Sequence, residues 1–356
     1  MKLIARYLIK QLSIFSLYAL LALLALYSFF DIINEIGDVG EGSYSGIKMM
    51  QYVLLQAPAH AYELMPLAVL IGGLIALSQL AASSEMTVIK TSGMSTPNII
   101  MMILSFGGLF AIATALLGEW AAPVASRYAE NMKTTATSGK ISTGAEGLWI
   151  KEQNNIINVR EMLPDQTLIG IKVYRHDADF KLSESWQAES ARIQADGSWQ
   201  LNQVAKSILH REKVSTQQVE TEIWQANIES RLLDVLLVKP NQMSLSALTA
   251  YLKHLKNNQQ QTEQYEIEWW RKLMYPIATM VMALVALAFT PQSTRHGNMG
   301  LKLFFGICLG LAFHFAGRLF GFTSQLYGVP PFLAALLPTA IFATWAVLLI
   351  RKHEKR

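Results

Sequence analysis

Charge is what this sequence has least of. Asp, Glu, Lys and Arg make up 16% of its 356 residues, against 52% hydrophobic residues and a mean hydropathy of +0.27. A soluble domain carries about 25% charged residues, so the deficit points to a membrane protein. Cysteine is nearly absent: a single residue, Cys308, excludes an internal disulfide framework and any Cys-rich zinc or iron–sulfur site. The net charge of +4 is too small to argue for nucleic-acid binding. Catalytic signatures are missing too. No GxxxxGK[ST] loop is present, so the chain does not itself cradle ATP in that way, and neither GxSxG nor HExxH occurs. The histidines (His60, His176, His210, His254, His296, His314 and His353) include no pair at helical metal-ligand spacing. The expectation is a non-enzymatic chain with no catalytic residue, metal or cofactor of its own.

Long apolar runs are present instead, and a bilayer-crossing helix needs about 20 such residues. Six qualify: Leu12–Phe30, Leu64–Leu80 with an approach from near Val53, Ile99–Leu117, Leu273–Phe289, Leu303–Leu319 and Phe332–Ile350. The first is too long for a signal-peptide core and no small-residue cleavage site follows it, so it reads as a retained span. Basic residues cluster on the cytoplasmic side of membrane proteins. Ten fall on one side here (Lys2, Arg6, Lys10, Lys90, Arg295, Lys302, Arg351, Lys352, Lys355 and Arg356), against Lys48 and Arg318 in the short loops opposite. Both termini are therefore expected inside, and the large segment between spans three and four outside.

That segment reads as mostly β. Ile169, Ile171 and Val173 alternate along LIGIKVYRH, and Trp199, Leu201 and Val204 follow the turn dipeptide Asp196-Gly197. LWIKEQNNIINV and VETEIWQANI look like further strands, with Pro164-Asp165 as a turn. Short strands at this spacing suggest a sandwich, jelly roll or related closed sheet. Leu245, Leu248, Leu252 and Leu255 then recur at helical spacing behind Ser244, a candidate N-cap, and Trp269-Trp270 suit the headgroup belt, the plainer reading being packing under the soluble domain. The fold class is an integral membrane α-helical protein of six transmembrane helices with an inserted all-β, jellyroll-like domain. Its parts are residues 1–124 (spans one to three, with a cytoplasmic loop at 81–97), 125–265 (the β domain with a C-terminal helix at about 244–257) and 266–356 (spans four to six).

Two polar features stand out against the spans. His314 and Arg318 share one face of the fifth, and charge at membrane depth usually faces an interior or a wet cavity, the plainer reading being that Arg318, near the span's end, reaches to the outer interface. Gly306/Gly310 and Gly317/Gly321 on the same span permit close helix approach. In the second loop, Ser83 and Ser84 can cap a short helix from Glu85 to Ser92, which Gly93 and Pro97 terminate. A rigid element there can dock another protein and transmit its motion to both neighbouring spans; the plainer reading is a capped turn.

The loop SSEMTVIKTSGMS resembles the coupling segment of the lipopolysaccharide export permeases. Gly118-Glu119-Trp120-Ala121-Ala122-Pro123 is similar to a GEW-x-AP signature of that family, and Gly42-Ser43-Tyr44 and Gly147-Leu148-Trp149 also fit. YGVPPFLAALLP (327–338) resembles the LptG branch of the family rather than its LptF paralogue. The resemblance covers the whole chain. It implies a permease subunit paired with an LptF-type subunit and driven by a cytoplasmic LptB-type ATPase dimer. It further implies extraction of lipopolysaccharide from the outer leaflet of the Gram-negative inner membrane, through a cavity lined by the first and fifth helices. Delivery is then to an LptC-type protein and a periplasmic bridge.

On this basis the coupling set is Ser84, Glu85, Met86, Val88, Ile89, Lys90 and Gly93, with Glu85 expected to meet the ATPase. The substrate-cavity set is Tyr27, Phe30 and Asp31 on the first span with Leu311, His314, Phe315 and Arg318 on the fifth, Arg318 lying near the lipid phosphates. One departure is the acidic stretch DIINEIGDVGEG, where family members often carry lysines. Asp31, Glu35, Asp38 and Glu41 would meet phosphate only through divalent cations, or else form an ordinary outer loop. The near alternative is the LptF paralogue of the same transporter; the competing class is a scaffold whose β domain tethers envelope proteins and whose spans merely anchor it, although an anchor needs only one span.

Overall fold

The computed structural model describes residues 2–137, 141–142, 148–152, 154–162, 167–177, 181–194, 198–209, 213–225, 240–290 and 299–354. The expected turns Pro164-Asp165 and Asp196-Gly197 lie outside the described residues, as do Gly147, Arg295, the Lys355-Arg356 end of the basic tail and the side chain of Lys90.

Among the described residues, six helices are long and apolar enough to cross a membrane. The first, α1 (Lys2–Glu35), has 34 residues without Gly or Pro, so one straight rod of about 51 Å runs past both faces of a bilayer. The second, α2 (Gly46–Ala82), is the centre of the bundle, with Ala68, Val69 and Leu70 wholly buried. A short α3 (Glu85–Thr91) follows, then α4 (Thr96–Leu116). A π turn at Leu117–Ala121 joins α4 to α5 (Ala122–Thr137) in one helical span. That turn has a cause in the sequence. Pro123 has no N–H to give the carbonyl of Glu119 and its ring crowds that carbonyl, so the helix widens and the Ala122 N–H bonds to Leu117 O, five residues back.

Hydropathy sees only the apolar half of this span, because α5 is held by polar contacts. Ser126 donates to Gln56 at 3.1 Å, Tyr52 donates to Glu130 at 3.0 Å, and Lys133 reaches Glu35 and Asp38 at 2.8 Å each. The last contacts also account for the acidic stretch. Glu35 and Asp38 share Lys133, Tyr44 donates to Glu35 at 3.0 Å, and Asp31 pairs with His60 at 2.6 Å. Three of the four carboxylates thus have protein partners, with no cation required.

Between the third and fourth spans lies one antiparallel sheet of β1 (Ile141–Ser142), β2 (Leu148–Glu152), β3 (Asn155–Met162), β4 (Thr167–His176), β5 (Leu182–Ile193), β6 (Trp199–Leu209) and β7 (Val214–Trp224). Its order is β1-β3-β4-β5-β6-β7, with β2 also on β3. Trp186 and Trp199 both meet Trp224 edge-on in its core. The inward alternation slips by one residue along a single line across the sheet. Leu168 and Ile171, Ala188 and Ala191, and Leu201 and Val204 are buried at spacings of three. On that line Gly170 (φ +65) and Gln203 (φ +55) adopt left-handed backbone, a kink that curls the sheet over its core. Leu168, not Ile169 as the alternation predicts, is therefore the residue turned inward. The strand β5, SESWQ-rich and without apolar alternation, was not expected from the sequence; only Trp186 and two alanines of it are buried.

The chain returns through a 3₁₀ turn at Pro240–Gln242 to α6 (Leu245–Asn257), where Ser244 Oγ accepts the Ala247 N–H at 3.1 Å. Then come α7 (Glu263–Ala288), α8 (Met299–Tyr327) and α9 (Pro331–Glu354). The indole of Trp269 donates to Thr249 at 2.9 Å and packs against the α6 cluster, while Trp270 meets Phe332. Gly306 and Gly310 let α8 close on α2, since a Cβ at either would strike Leu74 or Leu67.

Candidate functional site

At the end of the bundle nearest the sheet, two adjoining cavities of about 440 and 330 Å³ open among α1, α2, α7, α8, α9, the start of α5 and the 240–242 turn. Tyr62, Glu63, Asn241, Lys272 and Arg318 line both, so they form one chamber with a charged mouth. Of the cavity residues expected from sequence, Tyr27, Phe30, Asp31 and Arg318 meet in the smaller part, and His314 and Arg318 in the larger. Leu311 and Phe315 lie on the outward surface of α8, 44% and 66% exposed. The stripe is wider than the chamber and only half of it turns inward.

The chamber's charges are unequally satisfied. His60 holds Asp31 and packs tilted against Tyr27, with ring centroids 5.3 Å apart. Arg271 bridges α7 to α8 by donating to Glu268 at 2.5 Å and to Gly317 O at 3.2 Å. Lys272 donates to Met243 O, and Asn241 donates to Glu63 at 3.4 Å. Arg318 makes no hydrogen bond or ion pair with any described residue, although it borders both cavities. Glu63, Glu268, Arg271 and Lys272 were missed by sequence reasoning. At the ends of apolar runs they look like ordinary flanking charges, and only the packed helices bring them together in the chamber lining.

At the opposite end of the bundle, α3 lies across the turn between α2 and α4. Ile89 is buried in the bundle core, Met86 is half-buried against it, and Val88 is 65% exposed. Glu85 is held by two hydroxyls: Tyr7 donates to one carboxylate oxygen at 2.8 Å and Ser83 to the other at 2.9 Å. Ser84 is not a side-chain cap. It takes left-handed backbone (φ +61) and its carbonyl accepts the Val88 N–H at 3.1 Å. Gly93 (φ +86) ends the helix, as the left-handed position after a helix favours glycine.

Six spans around a chamber with a charged mouth, topped by a β domain, define a multi-pass membrane protein of the permease class. An anchor would need neither the chamber nor five of the spans. The model of the lipopolysaccharide export system permease LptF/LptG family matches residues 6–352, and the chain belongs to that family. It is 31% identical over 318 residues to the lipopolysaccharide export system permease protein LptG of Escherichia coli (strain K12), with 88% of each chain covered. It is 29% identical over 319 residues to the protein of the same description from Haemophilus influenzae, again covering 88% of each chain.

Proposed function

We propose that the chain is the LptG-type membrane subunit of an ATP-driven exporter that takes lipopolysaccharide from the outer leaflet of the inner membrane and hands it to a periplasmic bridge. The observation that carries this is Arg318, whose guanidinium makes no hydrogen bond or ion pair with any described residue, at the mouth of a chamber whose other wall holds Tyr27 and Phe30. Arg pairs with phosphate through a planar fork. A phosphorylated sugar headgroup would therefore lie against Arg318 while its acyl chains stay on the apolar flanks of α1 and α8.

The exposed apolar residues of those helices, among them Leu17, Leu21, Phe304, Leu311 and Phe315, suit a second permease subunit of the LptF type. The ten basic residues on one side support cytoplasmic termini, a cytoplasmic α3 and a periplasmic β domain. ATP hydrolysis then belongs to a separate LptB-type dimer docked at α3, with Glu85 and the exposed Val88 at the contact. Inward-facing Ile89 anchors the helix, so a push on α3 reaches α2 and α4 together. An LptC-type protein and the bridge receive the lipid beyond the β domain.

The test is Arg318→Glu in the reconstituted complex, reading ATPase activity with and without added lipopolysaccharide. Basal hydrolysis should persist while stimulation by the lipid falls about tenfold or more, as expected for removing a charge-assisted contact and adding a repulsive one. An unchanged stimulation would remove Arg318 from the path and with it the chamber's role.

A further inference from the structure

The Gly118-Glu119-Trp120 motif is left without a task by the chamber and the coupling helix, yet its carboxylate makes a long-range contact. Glu119 Oε2 accepts the backbone N–H of Leu245 at 2.7 Å and Oε1 accepts that of Ser246 at 3.3 Å. These are the first two amides of α6, which no intrahelical carbonyl can satisfy. A carboxylate there also meets the positive end of the helix dipole. Glu119 lies within the π turn. Trp120, its neighbour, faces outward and is 67% exposed. Gly118 packs so tightly on Tyr62 that a Cβ would lie 2.6 Å from the ring.

Two further contacts hold the same short stretch. Asn241 is tied to Glu63 of α2, and Met243 O accepts from Lys272 of α7. Residues 240–246 are thus fastened to the second, third and fourth spans by three polar contacts. Asn241 and Gln242 of the same stretch form part of the chamber wall. This strap is where the β domain's chain re-enters the bundle and where the chamber is bounded on the β side.

We infer that Glu119 is a positioning residue for export: by capping α6 it fixes the strap 240–246 beside the chamber mouth, and so sets the route from the chamber to the β domain. It touches no substrate. Its charge matters because an ionised carboxylate accepts from both amides, whereas an amide side chain offers one acceptor oxygen and its NH2 group opposes a backbone donor. Loss of one charge-assisted hydrogen bond at a helix end shifts such an anchoring equilibrium by about tenfold or more. This inference rests on the transport reading above and adds to it the step that follows extraction.

The experiment uses the full complex in proteoliposomes with Glu119→Gln, Glu119→Ala and Glu119→Asp, and two readouts. Hydrogen exchange of the 243–250 peptide reports the tie itself; it should quicken about tenfold in the Gln and Ala variants and stay near wild type in Asp. Photo-crosslinking of lipopolysaccharide under ATP turnover, from one probe at Asn34 in the chamber and another at Tyr174 on the sheet, reports passage. Glu119→Gln should keep the chamber adduct and ATPase activity while cutting the sheet adduct by about tenfold, with Asp restoring most of it. Unaltered exchange in the Ala variant, or a full sheet adduct in both Gln and Ala, overturns the proposal. So does a loss of both adducts in parallel, since that marks a merely structural role. Wild-type complex that yields no chamber adduct overturns the transport reading instead, which the exchange measurement does not share.

Discussion

Gly72 sits where α2 packs tightly on α1, and its substitution offers a sharp test of the packing that holds the first span. A Cβ at Gly72 would lie 2.3 Å from Ser16 Cα and 2.4 Å from Ser16 N. Those are backbone atoms, so no rotamer relieves the clash. Non-bonded carbons settle at about 3.5–4.0 Å, which requires α1 to retreat by roughly 1.2 Å and forfeits a quarter to a half of each dispersion contact along the seam. Overpacking of this kind costs about 1–3 kcal/mol, partly offset by the gain of about 1 kcal/mol for alanine over glycine in a helix. Gly108 on α4 meets nothing within 4 Å, so Gly108→Ala isolates that gain. The two alanines should then differ by about 1–3 kcal/mol, Gly72→Ala falling below wild type and Gly108→Ala at or above it. Thermal unfolding of each purified variant, followed by tryptophan fluorescence in one detergent at one scan rate, reads the order directly. Gly72→Ala as stable as Gly108→Ala would refute the close approach of α1 to α2.

At the α3 end of the bundle, Glu85→Ala should leave insertion and protein level intact while lowering complementation of an export-deficient strain, because the carboxylate that Tyr7 and Ser83 orient is lost; full complementation at native expression counts against it. A pH effect is expected at α6. Burial lowers the pKa of His254 from its ordinary 6.5, so the folded state holds this imidazole neutral while the unfolded chain takes up a proton. The sign follows: stability of α6 is fully present above pH 6.5 and declines as pH falls through that value. Hydrogen exchange across α6 should quicken on acidification in wild type and lose that dependence in His254→Gln; equal acid sensitivity in the two would assign the effect elsewhere.

Much of the architecture was legible in the chain because it rests on local properties. A span is an uninterrupted apolar run of bilayer length, and six such runs needed no knowledge of their neighbours. The short α3 and the later α6 announced themselves through breakers and helical period, although the cap at α3 is a turn in the left-handed region rather than a serine side chain. Strands were visible where they alternate and invisible where they do not: β5 carries little apolar signal and is a strand only because β4 and β6 bond to it on both edges. The chamber was half legible. Arg318 and His314 stood out as charge inside an apolar run, whereas Leu311 and Phe315, on the same stripe, face outward.

What the sequence determined by itself was therefore the order of its spans and the membrane class, since apolar length and backbone period are written residue by residue. What only the tertiary structure decided was which charges meet. Lys133 finds Glu35 across 98 residues, Asn241 finds Glu63 across 178, and Glu119 finds the amides of α6 across 126 and 127. No local pattern encodes such partners. An ionisable group near a bilayer must be satisfied by whatever the packed helices bring within about 3 Å, and that is fixed by the fold as a whole.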